Sequence, residues 1–500
     1  MYRSAASTAS PLSGSLATIR NRTLASLALV GAKASLALVG ANLADAFCPL
    51  IRTIALAHLL SPVDFGIAVS ISITAGFMEL ISDFGLGQSA VRMTKDMTAD
   101  STLGTLHALA VLRGLFLGVL IAVGGAGIAS LLQSQEASLA FILIGGSPVI
   151  NSFKNLGAEA AARSYSFAPS ANTVLLAQSA WTLVTVGLAA FLKDYWCMLI
   201  GIYAYSVTSV AASHLFSPAR WRVTWSKEVA VEAFKYGLPL IPNGWALAVS
   251  SLGDRFAIGT LMGPATLSWY NATVAVAILP RGIILRFLST LSLPVFINRA
   301  ETGVIPSSVC DRWTVALGSL AFLFGLTFLT FGKPVLGFVF GKTYEPQQLL
   351  VSAIAVSSCV KLLQGLYLPP ALAFGDSRFI LANSILNFAS LICGVGVLLL
   401  ERSLEAFVIG IATADCASLV LITVRSVRKY SFSWFVALVV PAWSIFLLVV
   451  GSIMFEGLGT ISNAHRVVLF VLLTTAFGAF IFCSTWKALS EVAAGFVAER

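Results

Sequence analysis

The chain has 500 residues, of which 58% are hydrophobic and only 11% are charged, and its formal net charge is +9. Soluble domains contain about 25% charged residues, so this composition excludes a soluble protein and indicates helices that cross a bilayer repeatedly. The basic residues alternate with apolar runs and form no single patch, which argues against a nucleic-acid partner.

The apolar runs recur almost from end to end, and each is close to the 20 or so residues that cross a bilayer as a helix. The sequence therefore predicts an all-α polytopic membrane protein with about fourteen transmembrane helices. The predicted spans lie near residues 34–58, 66–90, 104–132, 138–158, 170–192, 195–216, 235–262, 267–296, 313–340, 347–374, 378–400, 404–424, 433–455 and 465–486.

Lysine and arginine are concentrated in alternate connections between the predicted spans. The longest basic internal connection, 217–234, is on the same side as the basic N-terminal stretch 1–33 and the C-terminal stretch 488–500. Because cytoplasmic loops carry the excess of basic residues, the pattern predicts that both termini are cytoplasmic.

An internal repeat divides the chain into two halves. A shift of 202 positions places Pro62 on Pro264 after similar apolar runs, and it places Glu79 on Arg281 without a gap. Repeats of this kind are typical of transporters whose binding site lies between two lobes. We expect two pseudo-symmetric six-helix lobes around a central cavity. The predicted divisions are a cytoplasmic tail (1–33), an N-lobe (34–216), a cytoplasmic inter-lobe loop (217–234), a C-lobe (235–430), two additional helices (431–487) and a cytoplasmic tail (488–500).

Two carboxylates, Glu79 and Asp83, lie in a stretch that is otherwise apolar enough to span a membrane. Each would cost about 2.5 to 3.5 kcal/mol on a lipid-facing helix, so we expect that this face meets a polar cavity between the lobes. The alternative is that both carboxylates pair with arginines of the other lobe and stabilise the fold.

Equivalent spans of both lobes carry the other charges. Arg52 lies on the first span, and Asp254, Arg255, Arg281 and Arg286 lie on the seventh and eighth. We expect the four arginines to bind an anionic substrate, and Glu79, Asp83 and Asp254 to couple or balance charge. Arg281 and Arg286 would stand about 140° apart around a helix, so one should contact the substrate while the other pairs with Glu79 or Asp83.

Cofactor and metal sites are not indicated by the sequence. The seven cysteines are scattered singly without a CxxC pair, and the four histidines are far apart. Metal sites and disulfide frameworks need clustered ligands, so we expect neither.

Two blocks of the sequence resemble the Wzx-type oligosaccharide flippases, which are polysaccharide biosynthesis proteins of the multidrug/oligosaccharidyl-lipid/polysaccharide exporter superfamily. The first block covers residues 56–92, and the second covers residues 234–280. The residues that match the family's motifs are Leu60, Pro62, Asp64, Phe65 and Gly66; Asp83, Gly85 and Leu86; and Gly237, Pro239, Asp254, Arg255, Ile258 and Gly259. The chain departs from many relatives in having fourteen predicted spans instead of twelve.

The resemblance implies a non-enzymatic transporter that flips undecaprenyl-pyrophosphate-linked oligosaccharide repeats across the bacterial inner membrane. Such a protein would serve exopolysaccharide, O-antigen (lipopolysaccharide) or capsule biosynthesis by alternating access. Its partners would be the lipid-linked oligosaccharide, membrane lipids and a polysaccharide polymerase or export machinery. Two alternatives remain open: a cation-coupled drug or metabolite antiporter of the same superfamily, and an integral-membrane polysaccharide polymerase or ligase.

Overall fold

The structure is a computed structural model that describes residues 37–92, 99–164, 166–300, 307–430, 432–457 and 466–480. Over these residues the chain is helical and contains no strand. The predicted tails 1–33 and 488–500 lie outside the described residues. The all-helical, polytopic prediction is confirmed for the residues that are described.

The helices are named here in chain order. They are α1 (Ala37–Leu59), α2 (Pro62–Ser82), α3 (Leu86–Arg92), α4 (Ala99–Leu131), α5 (Ser138–Leu143), α6 (Gly146–Asn151), α7 (Gly157–Ala160), α8 (Ala168–Leu192), α9 (Trp196–Phe216), α10 (Lys227–Gly237), α11 (Leu240–Ala300), α12 (Ser307–Phe340), α13 (Gln348–Gln364), α14 (Leu368–Ala373), α15 (Ser377–Glu401), α16 (Leu404–Tyr430), α17 (Trp434–Gly457) and α18 (Arg466–Phe480).

Ten helical stretches among the described residues are long and apolar enough to cross a membrane: α1, α2, α4, α8, α9, α12, α13 together with α14, α15, α16 and α17. The other four predicted spans have a different construction. The fourth is divided between the short helices α5 and α6, the seventh and eighth are the two arms of α11, and the described part of the fourteenth is α18.

Helix α11 changes direction at Gly263, whose φ of 83° is the one non-helical conformation inside it. A positive φ favours glycine because it has no Cβ, and Pro264 then starts the second arm without an N–H to satisfy. Pro62 starts α2 in the same way, after the N-cap Ser61. The two prolines of the sequence repeat therefore occupy equivalent positions, each at the start of a membrane helix.

Helix α2 packs antiparallel along the first arm of α11 (240–262), and glycines bring the two backbones together. A Cβ on Gly66 would lie 1.8 Å from the Pro264 carbonyl oxygen, and one on Gly244 would lie 2.3 Å from the carbonyl oxygen of Leu80. This α2–α11 seam is the main contact between the N-lobe helices and the C-lobe helices.

Within each lobe the helices pack in pairs: α8 on α9 in the N-lobe, and α15 on α16 and α12 on α13 in the C-lobe. The described parts of the last two helices pack on the C-lobe. Helix α17 lies against α12 and α13, and Phe477 of α18 stacks on Phe322 of α12 with ring centroids 4.1 Å apart.

Candidate functional site: a charged cavity between the lobes

A cavity of about 860 Å³ lies between the two lobes, with walls from α1, α2, α6, α8, α9 and α11. Hydrophobic side chains form most of its surface. The charged and amide side chains that line it are Asn42, Asp45, Arg52, Glu79, Asn151, Gln178, Arg255, Asn271 and Arg286. Such an apolar pocket with a few converging polar groups is the usual form of a ligand site.

Arg52 is the most enclosed of the arginines that line this central cavity, with only 5% of its surface exposed. Its Nη1 atom donates to Gln178 Oε1 at 3.3 Å and to Thr182 Oγ1 at 3.0 Å. Its guanidinium also lies 3.7 Å from the centre of the Trp181 ring. Cation–π stacking and two hydrogen bonds to α8 fix one side of the guanidinium, and the residue still lines the cavity.

Asp45 lies about two turns before Arg52 on the same face of α1, and its carboxylate contacts both lobes. Its Oδ1 atom accepts from Gln178 Nε2 at 3.1 Å, and its Oδ2 atom lies 3.5 Å from Arg286 Nη2 on the second arm of α11. The sequence predicted Glu79 or Asp83 as the partner of a cavity arginine, whereas the structure places Asp45 beside Arg286.

Arg255 lines the central cavity, while the neighbouring Asp254 does not. The Asp254 carboxylate accepts from the Tyr270 hydroxyl at 2.7 Å and from the backbone N–H of Arg255 at 2.8 Å. Because Tyr270 is on the other arm of α11, Asp254 holds the two arms together and fixes the start of the Arg255 side chain. The Nε atom of Arg255 is buried and has no hydrogen-bond partner among the described residues.

Arg281 lies off the central cavity in this structure. It is within electrostatic range of Asp254, Tyr270 and Asp415, and none of the described cavities includes it in its wall. Arg281 and Arg286 therefore diverge: Arg286 faces the space between the lobes, and Arg281 faces the C-lobe.

Glu79 and Asp83 have different surroundings although they are one helical turn apart. Glu79 is exposed to the central cavity, and its carboxylate forms no hydrogen bond or ion pair with any described residue. Asp83 follows the last turn of α2, and its Oδ1 atom accepts from the backbone N–H of Gly85 at 3.0 Å. Asp83 thus stabilises the turn into α3, where Gly85 has a φ of 72°.

A second cavity of about 650 Å³ lies inside the N-lobe, among α2, α3, α4, α6 and α9. Both Glu79 and Asp83 line this N-lobe cavity. Its other charged groups have protein partners: Lys154 pairs with Glu159 at 2.7 Å, and Arg113 donates to the Glu79 carbonyl oxygen and to Ser82 Oγ.

A further polar cluster lies in the C-lobe. Lys361 Nζ lies 3.3 Å from the fully buried Asp415, which also accepts from the Ser357 hydroxyl at 3.1 Å. A buried carboxylate needs such partners. Among the described residues, no group of three or more His, Cys, Asp or Glu side chains could hold a metal ion.

Sequence reasoning did not place Asp45, Gln178, Thr182 or Trp181 in the site. A signal was available, because Asp45 precedes Arg52 by seven residues and Gln178 precedes Thr182 by four, and both spacings put two side chains on one helical face. What the sequence could not provide is the packing of α8 against α1 that brings these two faces together.

Comparisons with known proteins agree on the type of fold. Residues 55–349, more than half of the chain, match the family model described as polysaccharide biosynthesis protein. A sequence search of curated proteins returns no match.

Solved structures that superpose on this chain include membrane transporters. The lipid II flippase MurJ in an inward closed conformation superposes with a TM-score of 0.68 at 11% identity, covering 89% of this chain and 99% of MurJ. An inward-facing multidrug resistance MATE family transporter of the MOP superfamily gives a TM-score of 0.56 at 15% identity, covering 77% and 94% of the two chains. A MOP superfamily transporter from Pyrococcus furiosus gives 0.53 at 13% identity, covering 80% and 95%.

Proposed function

Because this chain belongs to the polysaccharide biosynthesis protein family, we propose that it flips an undecaprenyl-pyrophosphate-linked oligosaccharide from the cytoplasmic to the outer leaflet of the bacterial inner membrane. One observation carries this proposal: Arg52, Arg255 and Arg286, from both lobes, line one cavity between the lobes. Ionisable side chains inside a membrane are costly and mark substrate pathways.

The three arginines suit a pyrophosphate better than they suit a cation or a neutral drug. A guanidinium can bind phosphate oxygens through two parallel N–H···O bonds. Arg52 is held by Trp181, Gln178 and Thr182 before any substrate arrives, so little side-chain entropy is lost on binding. Asp254 and Asp83 support the site from outside the central cavity: Asp254 holds the two arms of α11 together, and Asp83 stabilises the turn between α2 and α3.

Transport is expected to proceed by alternating access, in which the N-lobe (34–216) and the C-lobe (235–430) rock against each other around the bound headgroup. The α2–α11 seam is the main contact between the lobes and is therefore the element about which they would move. We place both termini in the cytoplasm, and we place a polysaccharide polymerase or export machinery among the partners.

A cation-coupled antiporter of the same superfamily is the second candidate. Its support is the fold shared with a multidrug transporter, together with the Glu79 carboxylate, which faces the cavity without a protein partner and could bind a cation. The three cavity arginines argue against a cationic cargo.

The deciding experiment is deletion of the gene, followed by measurement of which leaflet holds the lipid-linked sugar. The proposal expects the intermediate to be made and to accumulate on the cytoplasmic leaflet. Failure to make the intermediate would identify an enzyme that acts earlier. Normal polysaccharide combined with new drug sensitivity would identify the antiporter.

A further inference from the structure

The central cavity and the N-lobe cavity meet at a common wall. Five residues line both of them: Ala75, Glu79, Ser147, Asn151 and Tyr205. They come from α2, α6 and α9, all within the N-lobe. We call this wall the junction.

Three of the junction residues present polar groups that no described residue satisfies. The Glu79 carboxylate, the Asn151 carboxamide and the Tyr205 hydroxyl form no hydrogen bond within the described structure. Two neighbouring polar groups are engaged: Ser147 bonds Ser206 at 2.9 Å, and Lys154 pairs with Glu159. Polar groups that face a cavity without a protein partner are available to a ligand.

The chemistry of the three groups suits a hydroxyl-rich, uncharged ligand. The carboxylate accepts, the carboxamide both donates and accepts, and the phenol does both as well, which matches neighbouring sugar hydroxyls. A phosphate is disfavoured at the junction because Glu79 would repel it. In one ligand, the anionic part would thus bind at the arginines and the hydroxyl-rich part would bind at the junction.

Trp181 connects the junction to Arg52. Its ring lies 5.4 Å from the ring of Tyr205 and 3.7 Å from the Arg52 guanidinium. In a sugar linked to lipid pyrophosphate, the first sugar is bonded directly to a phosphate, so its site must be adjacent to the phosphate site. The junction has that position.

We propose that Glu79, Asn151 and Tyr205 form the binding site for the first sugar of the substrate, with the N-lobe cavity receiving the sugars beyond it. This inference rests on the proposed function, because it assumes a pyrophosphate at the arginines. It assigns Glu79 to sugar recognition and not to cation coupling.

Binding of lipids with and without one sugar tests the proposal. The probes are undecaprenyl pyrophosphate and the same lipid carrying a single glucose, galactose or N-acetylglucosamine, measured on the purified full-length protein. We expect one of these sugars to lower the Kd of the wild type about tenfold, since a few hydrogen bonds that each contribute about 0.5 to 1.5 kcal/mol suffice for that ratio.

The variants Asn151→Ala, Tyr205→Phe and Glu79→Gln should lose this sugar-dependent gain. Asn151→Ala and Tyr205→Phe should keep the wild-type Kd for the sugar-free lipid, which also shows that they are folded. Glu79→Gln should bind the sugar-free lipid at least as tightly as the wild type, because it removes a negative charge from the wall of the phosphate cavity. Gln88→Ala is the matched control, because Gln88 is a polar residue that lines only the N-lobe cavity and not the cavity that holds the arginines. It should keep the full gain.

Two results would overturn the sugar site: wild-type protein that binds none of the three sugar-bearing lipids more tightly than the sugar-free lipid, or junction variants that keep the wild-type ratio. Failure of the proposed function looks different. In that case Arg52→Ala would leave the Kd for the sugar-free pyrophosphate lipid unchanged, whatever the junction variants do.

Discussion

Gly66 at the start of α2 lies against Pro264 at the start of the second arm of α11. A Cβ added to Gly66 would be only 1.8 Å from the Pro264 carbonyl oxygen. These two residues belong to the two sequence blocks that match the family, and they are close to equivalent positions of the internal repeat. One close contact between the lobes therefore involves residues at or near the aligned positions of the internal repeat.

Replacing Gly66 by alanine should destabilise the protein. The overlapping atom is backbone and cannot move aside as a side chain can, so a cost of about 1 to 3 kcal/mol or more is expected. Thermal unfolding of the purified variant in detergent measures it. Gly76→Ala is the control on the same helix, because its new Cβ would meet only a Leu252 methyl at 3.4 Å. Equal melting temperatures for the two variants would contradict a closely packed seam.

Arg52→Lys should reduce export about tenfold or more. Lysine cannot stack as a planar group on Trp181 or present two parallel N–H donors to a phosphate, and charge-assisted hydrogen bonds contribute about 1.5 to 3 kcal/mol each. Surface polysaccharide at equal protein level is the measurement. Arg92→Lys is the matched control, since Arg92 also stacks on an aromatic ring, 4.1 Å from the centre of Tyr236, but lines neither cavity. A similar loss of export in both variants would show that the effect of Arg52→Lys comes from the lost aromatic stacking and not from the position of Arg52 in the cavity.

Exchange of the charges of Asp45 and Arg286 tests their contact across the cavity. Arg286→Glu alone should reduce export strongly, and adding Asp45→Lys should restore folding stability only slightly. The two side chains are 44% and 62% exposed, and pairs of this kind contribute about 0.2 to 1 kcal/mol. A double-mutant cycle on thermal stability gives the coupling energy. Combining Arg286→Glu with Glu79→Lys serves as the comparison, and an equal recovery there would show that Glu79 is also a partner of Arg286.

Membrane topology can be checked with reporters fused after Ser226, Arg428 and Glu499, of which the last lies outside the described residues. All three should report a cytoplasmic position, because each follows or lies within a basic connection on the predicted inner side. A reporter after Lys193, in the predicted outer connection between α8 and α9, is the contrasting control. An external signal at any of the first three sites would contradict the fourteen-span prediction.

Acid should weaken the contact between the α14–α15 loop, which contains Asp376, and the end of α16. Hydrogen bonds from Lys429 and Tyr430 lower the pKa of Asp376 from its ordinary 3.8 to about 2. Because the folded pKa is depressed, this stabilisation is fully present above pH 3.8 and is lost as the pH falls through about 2. Asp376→Asn should therefore melt at a lower temperature than wild type at pH 6, and the difference should shrink between pH 4 and pH 2. A difference that is independent of pH would contradict a role for the Asp376 charge.

Some elements of the fold could be predicted from the sequence, and comparison of the predicted spans with the helices shows which ones. Hydropathy locates the helices because a span needs a fixed number of apolar residues. It did not predict that the fourth span is divided between α5 and α6. The break lies at Ile144 and Gly145, which keep helical φ and ψ but take part in i→i−3 hydrogen bonds. Pro148 has no N–H to donate to the Ile144 carbonyl oxygen, so a proline and not the hydropathy marks this position.

The candidate site could also be predicted only in part. Charges on apolar spans are visible in the sequence, and Arg52, Glu79, Arg255 and Arg286 do line the central cavity. Their partners are not visible, because Gln178 and Trp181 approach Arg52 only through the packing of α8. Arg281 shows the opposite problem: its charge is as conspicuous as that of Arg286, but the orientation of the helix turns it toward the C-lobe.

Under the proposed function, the Asp45 carboxylate gives the empty carrier an anion of its own. A phosphate that binds Arg286 then replaces a negative partner that is already 3.5 Å away, so its net gain is smaller than the full strength of the new contact. A carrier benefits from that exchange, because a headgroup that is held only moderately can leave on the far side of the membrane. As the phosphate departs, the carboxylate is beside the Arg286 guanidinium again, so that this arginine keeps an anionic neighbour when the cavity is empty.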